Sequence, residues 1–270
     1  SGDAGRIFNL ETEMARASLT RVEQRDPVAL DHPTSLTALH TLMPSLDWPR
    51  YIESVGMTVP VTTVNVAMPR FFSRLDTLLA TVPLPHWRAY LRYHILAASA
   101  PMLSAPWVAE EFAFRSRFTG AKSLLPRWKR CLRRTDGQIG EALGEAYVAK
   151  AFSPEGRAGA KAVIDDIRAA FQARLDHLSW MSDATRPAAS AKLARMGEKV
   201  GYPDRWRDYT RLVVIEGPFV LNSMQAHRFE WDRRINRPGT PVDTTEWDMT
   251  VPTVNAYYDP TKNEMVFPAG

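Results

Sequence analysis

The stretch that decides the fold is Thr253–Gly270, which reads T-V-N-A-Y-Y-D-P-T-K-N-E-M-V-F-P-A-G. It contains two short runs rich in β-branched and aromatic residues, Val254–Tyr258 and Glu264–Phe267. The five residues between them include Pro260, whose fixed φ suits a turn, and Asn263, which tolerates a positive φ. The pattern predicts a β-hairpin with a five-residue loop.

This hairpin is predicted to find no sheet to join within the chain, because nearly everything before it has helical periodicity. Two-stranded hairpins are only marginally stable on their own in water. Two arrangements therefore stay open. Either the rest of the sheet lies outside this chain, or a small hairpin packs on a helical domain.

Apolar residues recur at intervals of three or four along most of the chain, as in amphipathic helices. The clearest helix has Ser153 as its N-cap and Pro154 in its first turn. We predict that its apolar stripe lies in the middle of a helical core, and that a later helix carrying Leu193 stops near Gly201. The stripe consists of Ile164, Ile167, Phe171, Leu175 and Leu178. Further helical stripes run over residues 7–17, 36–46, 71–79, 87–98, 107–118 and 219–229, and short strands are predicted in residues 59–66 and 211–215.

A turn-rich linker, Arg237-Pro238-Gly239-Thr240-Pro241, marks the predicted domain boundary. Residues 1–237 are predicted to form a helical domain, and residues 238–270 the linker and the start of a β-containing domain, with the hairpin at 254–267. The predicted fold class is mainly α, with a large helical domain that ends in a β-hairpin.

Composition fits a globular protein of one large domain or two ordinary ones, with 270 residues of which 45% are hydrophobic. The 34 basic residues nearly balance the 30 acidic ones, so the net charge of +4 is weak support for a polyanionic partner. The single cysteine, Cys131, excludes a disulfide within the chain. No run of about 18 apolar residues occurs, so no membrane span is predicted in this chain.

Common catalytic motifs are absent from the sequence. None of the six histidines has another three or four positions away, so a helical two-histidine metal site such as HExxH is missing. Neither G-x-S-x-G nor G-x-G-x-x-G occurs. Glu141 and Glu145 share one helix face and are predicted to be solvated, and His94 lies on an apolar stripe and is predicted to be a core histidine.

One compact basic segment stands out, Arg127-Trp128-Lys129-Arg130-Cys131-Leu132-Arg133-Arg134. On a helix, its arginines line one side and Trp128, Cys131 and Leu132 the other. Such a basic face could bind phosphates or another anionic partner. The competing interpretation is a solvated helix face whose Trp128 anchors it to the core, with Cys131 as an inert small hydrophobic residue.

The terminal run V-N-A-Y-Y-D-P-T-K-N-E-M-V-F-P-A-G resembles the segment just before the zinc motif of the neprilysin-like zinc metallopeptidases, the M13 family, which includes bacterial oligopeptidases. Other matches follow in the family's order along most of the chain. They are Pro126-Arg127-Trp128-Lys129-Arg130-Cys131, Leu143-Gly144, Trp180-Met181, Gly201-Tyr202-Pro203 and Glu246-Trp247-Asp248-Met249-Thr250.

This resemblance implies the middle portion of a two-domain zinc metalloendopeptidase that hydrolyses oligopeptides. Residues 1–237 would belong to a helical covering domain that forms a chamber wall, and the hairpin would begin a thermolysin-like α+β catalytic domain. The family's zinc ligands, HExxH and a later Glu, are not in this chain. The implied partners are an oligopeptide substrate and the remaining catalytic half, with no nucleic acid, and this chain alone is expected to be inactive.

The resemblance also implies a substrate-binding strand. By position, the Asn255 side chain and the Ala256 carbonyl would hold the main chain of a bound peptide, and Tyr257 would line the pocket before the scissile bond. An exposed strand can bind a peptide of almost any sequence, because it pairs with main-chain amides. An extracytoplasmic location is favoured by the resemblance. In animal relatives the cysteine at the Cys131 position forms a disulfide, for which this chain has no partner.

Overall fold

The structure is a computed structural model that describes residues 2–270, and it is mainly helical, as predicted. In chain order its helices are α1 (Asp3–Ala17), α2 (Leu36–Leu42), α3 (Trp48–Ser54), α4 (Pro69–Thr81), α5 (Leu84–Ser99), α6 (Ala105–Thr119), α7 (Arg127–Ala151), α8 (Pro154–Leu175), α9 (Thr185–Ala194) and α10 (Phe219–Ile235). Its strands are β1 (Pro33–Ser35), β2 (Thr63–Asn65), β3 (Gly197–Gly201), β4 (Tyr257–Asp259) and β5 (Glu264–Pro268). Over residues 2–270, no helix combines the length and the apolar character needed to cross a membrane.

The chain forms two compact units. The first runs up to Leu124 and resumes over Ile215–Thr240, and the second comprises Leu125–Val214 and Pro241–Gly270. The segment around Pro238 is irregular and lies where the chain leaves the first unit. The assignment of residues 1–237 to a covering domain and 238–270 to a catalytic domain stays a prediction about the intact protein.

The first unit is built from α1 to α6 and α10. Its core joins α2, α3 and α4 around four buried side chains, Leu39, Met43, Trp48 and Val66. The β-branched run 59–66 contributes one short strand, β2, which pairs antiparallel with β1. Helix α10 belongs to this unit although 90 residues of the second unit separate it from α6 in the chain. A hydrogen bond from Trp231 Nε1 to the carbonyl of Val55, the residue after α3, at 2.7 Å connects α10 to the end of α3.

The second unit contains α7, α8, α9 and a three-stranded sheet in the order β3-β5-β4. The predicted hairpin is present as β4 and β5, but the expectation that it finds no sheet within the chain is wrong, because β3 pairs parallel with β5. The helix predicted to stop near Gly201 ends at Ala194, and Gly197 starts the strand. Gly201, at φ 80°, follows the buried Val200 and is the last residue of β3.

The hairpin turn is one residue shorter than predicted. Asp259 pairs with Glu264, which leaves a loop of residues 260–263. Asn263 has a φ of 51°, as expected from its tolerance of the left-handed region. Its side chain fixes the turn on both sides, because Oδ1 accepts a hydrogen bond from the Tyr258 hydroxyl at 2.9 Å and Nδ2 donates to the Lys192 carbonyl at 3.0 Å.

Helix α8 begins as predicted, with the Ser153 hydroxyl accepting a hydrogen bond from the Gly156 amide at 3.1 Å. Its apolar stripe is not uniformly buried. Ile164 and Leu175 lie in the core, whereas Ile167 and Phe171 are 58% and 48% exposed. The prediction of a fully central helix is therefore wrong within this chain. The other predicted strand, 211–215, is irregular.

Candidate functional site

The predicted site residues lie together at the start of β4. Asn255 and Ala256 are exposed and irregular, and Tyr257 is the first residue of the strand. Since β5 occupies the centre of the sheet, β4 pairs on one side only among the described residues. The Asn255 Oδ1 accepts a hydrogen bond from the Ala256 amide at 2.8 Å. Its Nδ2 has no hydrogen-bond partner within residues 2–270, so a donor is available beside an open strand edge.

Tyr257 points back onto the loop that precedes it. Its hydroxyl oxygen accepts a hydrogen bond from the Asp248 amide at 2.8 Å. Partial burial raises the pKa of the Tyr257 phenol, and the nearby carboxylates of Asp248, Glu264 and Asp259 raise it further, against the opposing effect of the Asp248 amide. The phenol is therefore kept in its neutral form, and the hydrogen bond from Asp248 fixes the position of the ring at the start of the strand.

A largely buried charge cluster connects strands β3 and β5 to Glu246, in the segment that precedes the site. Lys199 Nζ on β3 donates to Glu264 Oε1 on β5 at 2.8 Å and to the Glu246 carbonyl at 2.8 Å. Lys262 Nζ lies 3.6 Å from the same Glu264 oxygen. Only 7% of the Glu264 side chain is exposed, and a carboxylate that is so well buried needs these two cations.

A second ion pair anchors the same segment to α7. Arg207 NH2 lies 2.7 Å from Glu141 Oε1 and 3.8 Å from Glu246 Oε1, and the Arg207 amide donates to Glu141 Oε2 at 2.8 Å. The prediction that Glu141 is solvated is wrong, because its partner comes from a loop 66 positions later. Glu145 is exposed, as predicted.

Two glycines of α7 let the loop before Asn255 approach closely. A Cβ at Gly144 would lie 2.8 Å from Val251 Cβ, and a Cβ at Gly140 would collide with the Thr250 methyl group. Val251 is almost completely buried at 1% exposure. Neither glycine needs a positive φ, so both are required by packing rather than by backbone conformation.

The basic segment forms the first two turns of α7. Trp128 is 64% exposed, Leu132 is 46% exposed and Cys131 is exposed, so the anchoring of this face to the core through Trp128 is not found in this chain. The Lys129 ammonium lies 5.3 Å from the centre of the Trp128 ring. His94 is not a core residue either, since it is half exposed and its Nε2 lies 2.9 Å from Glu11 Oε1.

Two further features bear on chemistry. An apolar cavity of about 430 Å³ lies in the first unit between α2, α3, α4 and α10, and the indole nitrogens of Trp48 and Trp231 on its wall both donate to backbone carbonyls. It offers no titratable pair.

Within residues 2–270 no group of three or more His, Cys, Asp or Glu is arranged to hold a metal ion, so these side chains do not fit a zinc site.

Several residues that support the site escaped sequence reasoning. Thr250 donates from its hydroxyl to Asp136 Oδ2 at 3.0 Å, and Lys199 joins two strands and the loop. Charged residues inside a β-prone run, such as Glu264, are the one local signal that could have pointed to the buried cluster. The partners themselves are distant in sequence and leave no local pattern.

The fold and the site define a mainly helical protein with a small three-stranded sheet, in which β4 is one of the two outer strands. The sequence profile of peptidase family M13 matches residues 1–203. The chain belongs to peptidase family M13. Human endothelin-converting enzyme 1 is 28% identical over 278 residues, and Drosophila melanogaster neprilysin-3 is 29% identical over 281 residues. Each alignment covers 98% of this chain but only 36% of the relative.

Solved structures agree with this assignment. The Mycobacterium tuberculosis zinc metalloprotease Zmp1, in complex with an inhibitor, superposes with a TM-score of 0.92 at 34% identity, over 99% of this chain and 40% of the Zmp1 chain. PepO from Lactobacillus rhamnosis shares the fold, with a TM-score of 0.89 at 24% identity over 99% of this chain and 43% of that one. The predicted family and the predicted helical fold are thus confirmed, and the chain spans less than half the length of these relatives.

Proposed function

We propose that this chain supplies the peptide-binding edge strand of a zinc-dependent metalloendopeptidase that cleaves oligopeptides. The observation that carries the proposal is the open edge at β4, where Asn255 and Ala256 are exposed at the start of an edge strand. An extended peptide presents unpaired main-chain amides and carbonyls. An open strand edge satisfies these groups whatever the peptide's side chains are.

Asn255 is placed to act on the peptide main chain. Its Oδ1 already accepts the Ala256 amide, so the free Nδ2 is the group that donates to a peptide carbonyl. Tyr257 contributes the wall of an adjoining pocket, and its link to the Asp248 amide keeps the ring in place. Side-chain preference would then come from such pockets, while the strand edge supplies binding that is independent of sequence.

The rest of the activity belongs to the intact protein. In this proposal, zinc and the groups that activate water come from outside residues 1–270, the helical first unit forms a wall of the substrate chamber, and the protein works outside the cytoplasm. Two findings support a zinc-dependent reaction in the intact protein. The chain belongs to family M13, and the similar protein Zmp1 is named a zinc metalloprotease. No catalytic step is assigned to a residue of this chain.

Asn255→Ala in the intact protein tests the proposal. Losing one hydrogen bond to substrate is expected to lower kcat/KM for an internally quenched oligopeptide about tenfold, with an unchanged zinc content measured by atomic absorption. Asn9→Ala is the matched control, because Asn9 is an exposed asparagine on α1 without a hydrogen-bonded side chain among the described residues. Unchanged cleavage, or loss of zinc in Asn255→Ala, would refute the role of Asn255.

A second candidate function is binding of an anionic partner through the basic face of residues 127–134. It is favoured by the exposure of Trp128 and by the absence of salt bridges, among the described residues, for the five cations of this segment, Arg127, Lys129, Arg130, Arg133 and Arg134. Binding of this kind must weaken steeply as salt is added. The first candidate requires instead that other parts of the intact protein cover this face.

A further inference from the structure

The loop before Asn255 has no regular structure of its own. Residues 248–256, called here the Asn255 loop, lie between the buried Trp247 and the first residue of β4. A loop without a hydrogen-bonded ladder is positioned by its side chains. Two of these side chains, Thr250 and Thr253, form a continuous chain of hydroxyl hydrogen bonds to α7.

The direction of this hydrogen-bond chain follows from its end at a carboxylate. Thr250 Oγ1 lies 3.0 Å from Asp136 Oδ2 and 2.9 Å from Thr253 Oγ1. A carboxylate only accepts, so the Thr250 hydroxyl proton is directed at Asp136. The Thr253 hydroxyl must then donate to the Thr250 oxygen, which fixes the order Thr253 to Thr250 to Asp136.

Backbone hydrogen bonds carry this arrangement on to Asn255. The Thr253 amide donates to the Thr250 carbonyl at 3.0 Å, and the Asn255 amide donates to the Thr253 carbonyl at 3.0 Å. Val251, inside the first of these two turns, is packed into the gap left by Gly144. The backbone of Asn255 is therefore connected by three successive hydrogen-bonded links to a helix that does not itself reach the site.

Asp136 depends on Thr250 in return. Its second oxygen, Oδ1, is buried and has no hydrogen-bond partner within residues 2–270. Removing the Thr250 hydroxyl would leave both oxygens of this carboxylate unpaired in a partly buried place, which is unfavourable. The contact between Thr250 and Asp136 therefore stabilises both the carboxylate and this position of the loop.

We propose that Asp136, Thr250 and Thr253 are positioning residues that hold Asn255 in register with the open edge of β4 for peptide binding. This inference rests on the proposed function of Asn255. In this proposal neither threonine side chain contacts the substrate. Substitutions of Thr250 and Thr253 are therefore expected to change peptide cleavage only through their effect on Asn255.

A double-mutant cycle in the intact protein tests this. Thr250→Val removes the hydroxyl and keeps the shape, and it is expected to lower kcat/KM for the quenched oligopeptide about tenfold, mainly through KM. Thr250→Ser keeps the hydroxyl and is expected to restore kcat/KM to within about twofold of the unmodified protein. In the Asn255→Ala background, Thr250→Val is expected to add almost nothing, because the group that it positions is gone.

Thr253→Val provides a second route if Thr250→Val folds poorly, because it breaks only the outer hydroxyl bond. Thr37→Val is the matched control on α2, where the exposed Thr37 hydroxyl makes no hydrogen bond among the described residues. If Asn255→Ala lowers cleavage and the threonine variants add their full effect to it, the positioning role is wrong and the proposed function stands. If Asn255→Ala itself has no effect, the proposed function fails, and the positioning role with it.

Discussion

The turn residue Asp259 closes the hairpin through its carboxylate. Its Oδ1 accepts hydrogen bonds from the Thr261 amide at 2.8 Å, from the Thr261 hydroxyl at 2.6 Å and from the Lys262 amide at 3.4 Å. The hydrogen bond from the Thr261 hydroxyl is the largest of the effects that hold the pKa of Asp259 below its ordinary value of 3.8. The ionised form is therefore favoured by the folded turn.

The sign of the resulting pH dependence is fixed. Because the folded-state pKa lies below the unfolded-state value, the carboxylate's contribution to stability is fully present above pH 3.8 and is lost as the pH falls through the folded-state pKa. Asp259→Asn should therefore loosen the hairpin at pH 7 relative to the unmodified protein, and this difference should shrink below pH 3.8. Hydrogen–deuterium exchange of the peptide covering residues 257–268, compared between the two proteins at each pH, measures it.

Asp183→Asn serves as the control for that measurement. Asp183 is exposed and its side chain makes no hydrogen bond within the described part of the chain, so its replacement should leave exchange in the hairpin unchanged at both pH values. A difference between Asp259→Asn and the unmodified protein that stays constant from pH 7 to pH 3 would mean that the carboxylate charge does not stabilise the turn.

At the level of elements, α7 matters because its glycines form a surface against which the Asn255 loop packs. Gly144→Ala would place a Cβ 2.8 Å from Val251 Cβ, closer than real side chains approach. The loop or the helix must shift, and we expect a loss of about 1–3 kcal/mol in the free energy of unfolding. Urea denaturation followed by tryptophan fluorescence gives this value.

Gly159→Ala on α8 is the matched helix substitution. Nothing lies within 4 Å of a Cβ at Gly159, so alanine there should stabilise the protein by about 0.4–1 kcal/mol through a less flexible unfolded chain. The two glycines should therefore respond with opposite signs. Equal stability changes in Gly144→Ala and Gly159→Ala would show that the close packing on Val251 does not contribute.

The elements that the sequence predicted well are those whose signal is local. The Ser153 cap, the apolar spacing of α8 and the positive φ of Asn263 each depend on residues within a few positions. Strand β3 was missed because its reason to exist is the pairing with β5, and the charge pair that joins them, Lys199 and Glu264, spans 65 positions. The five residues of β3 include a single apolar side chain, Val200, so they show no strand periodicity of their own.

The candidate site divides in the same way. Asn255, Ala256 and Tyr257 were predicted through family resemblance, and their role in peptide binding stays a prediction. The residues that hold this strand in place were not found, because Asp136 and Glu141 meet their partners only after the chain has folded. Glu141 even carries a misleading local signal, since its spacing from Glu145 is typical of a solvated helix face.

For the whole molecule, the exposed Trp128 of α7 raises the question of which partner covers it. Trp128 is 64% exposed, with Lys129 above its ring and the four arginines of residues 127–134 nearby, none of which forms a salt bridge among the described residues. The exposed indole lies four positions from the exposed Leu132, and both proposed functions give this apolar surface a partner. The peptidase proposal assigns this role to the remaining part of the same protein, and the second candidate assigns it to a polyanion.

Hydroxyl-radical footprinting of the intact protein decides between them. If the rest of the protein covers this face, Trp128 should be labelled nearly as slowly as the buried Trp48, which is 8% exposed, and far more slowly than free tryptophan amide in the same solution. A double-stranded DNA oligonucleotide at low salt should then leave the labelling of Trp128 unchanged. Fast labelling of Trp128 that the oligonucleotide suppresses at low salt and not at high salt would instead favour the anionic partner, because phosphate contacts weaken steeply as salt is added.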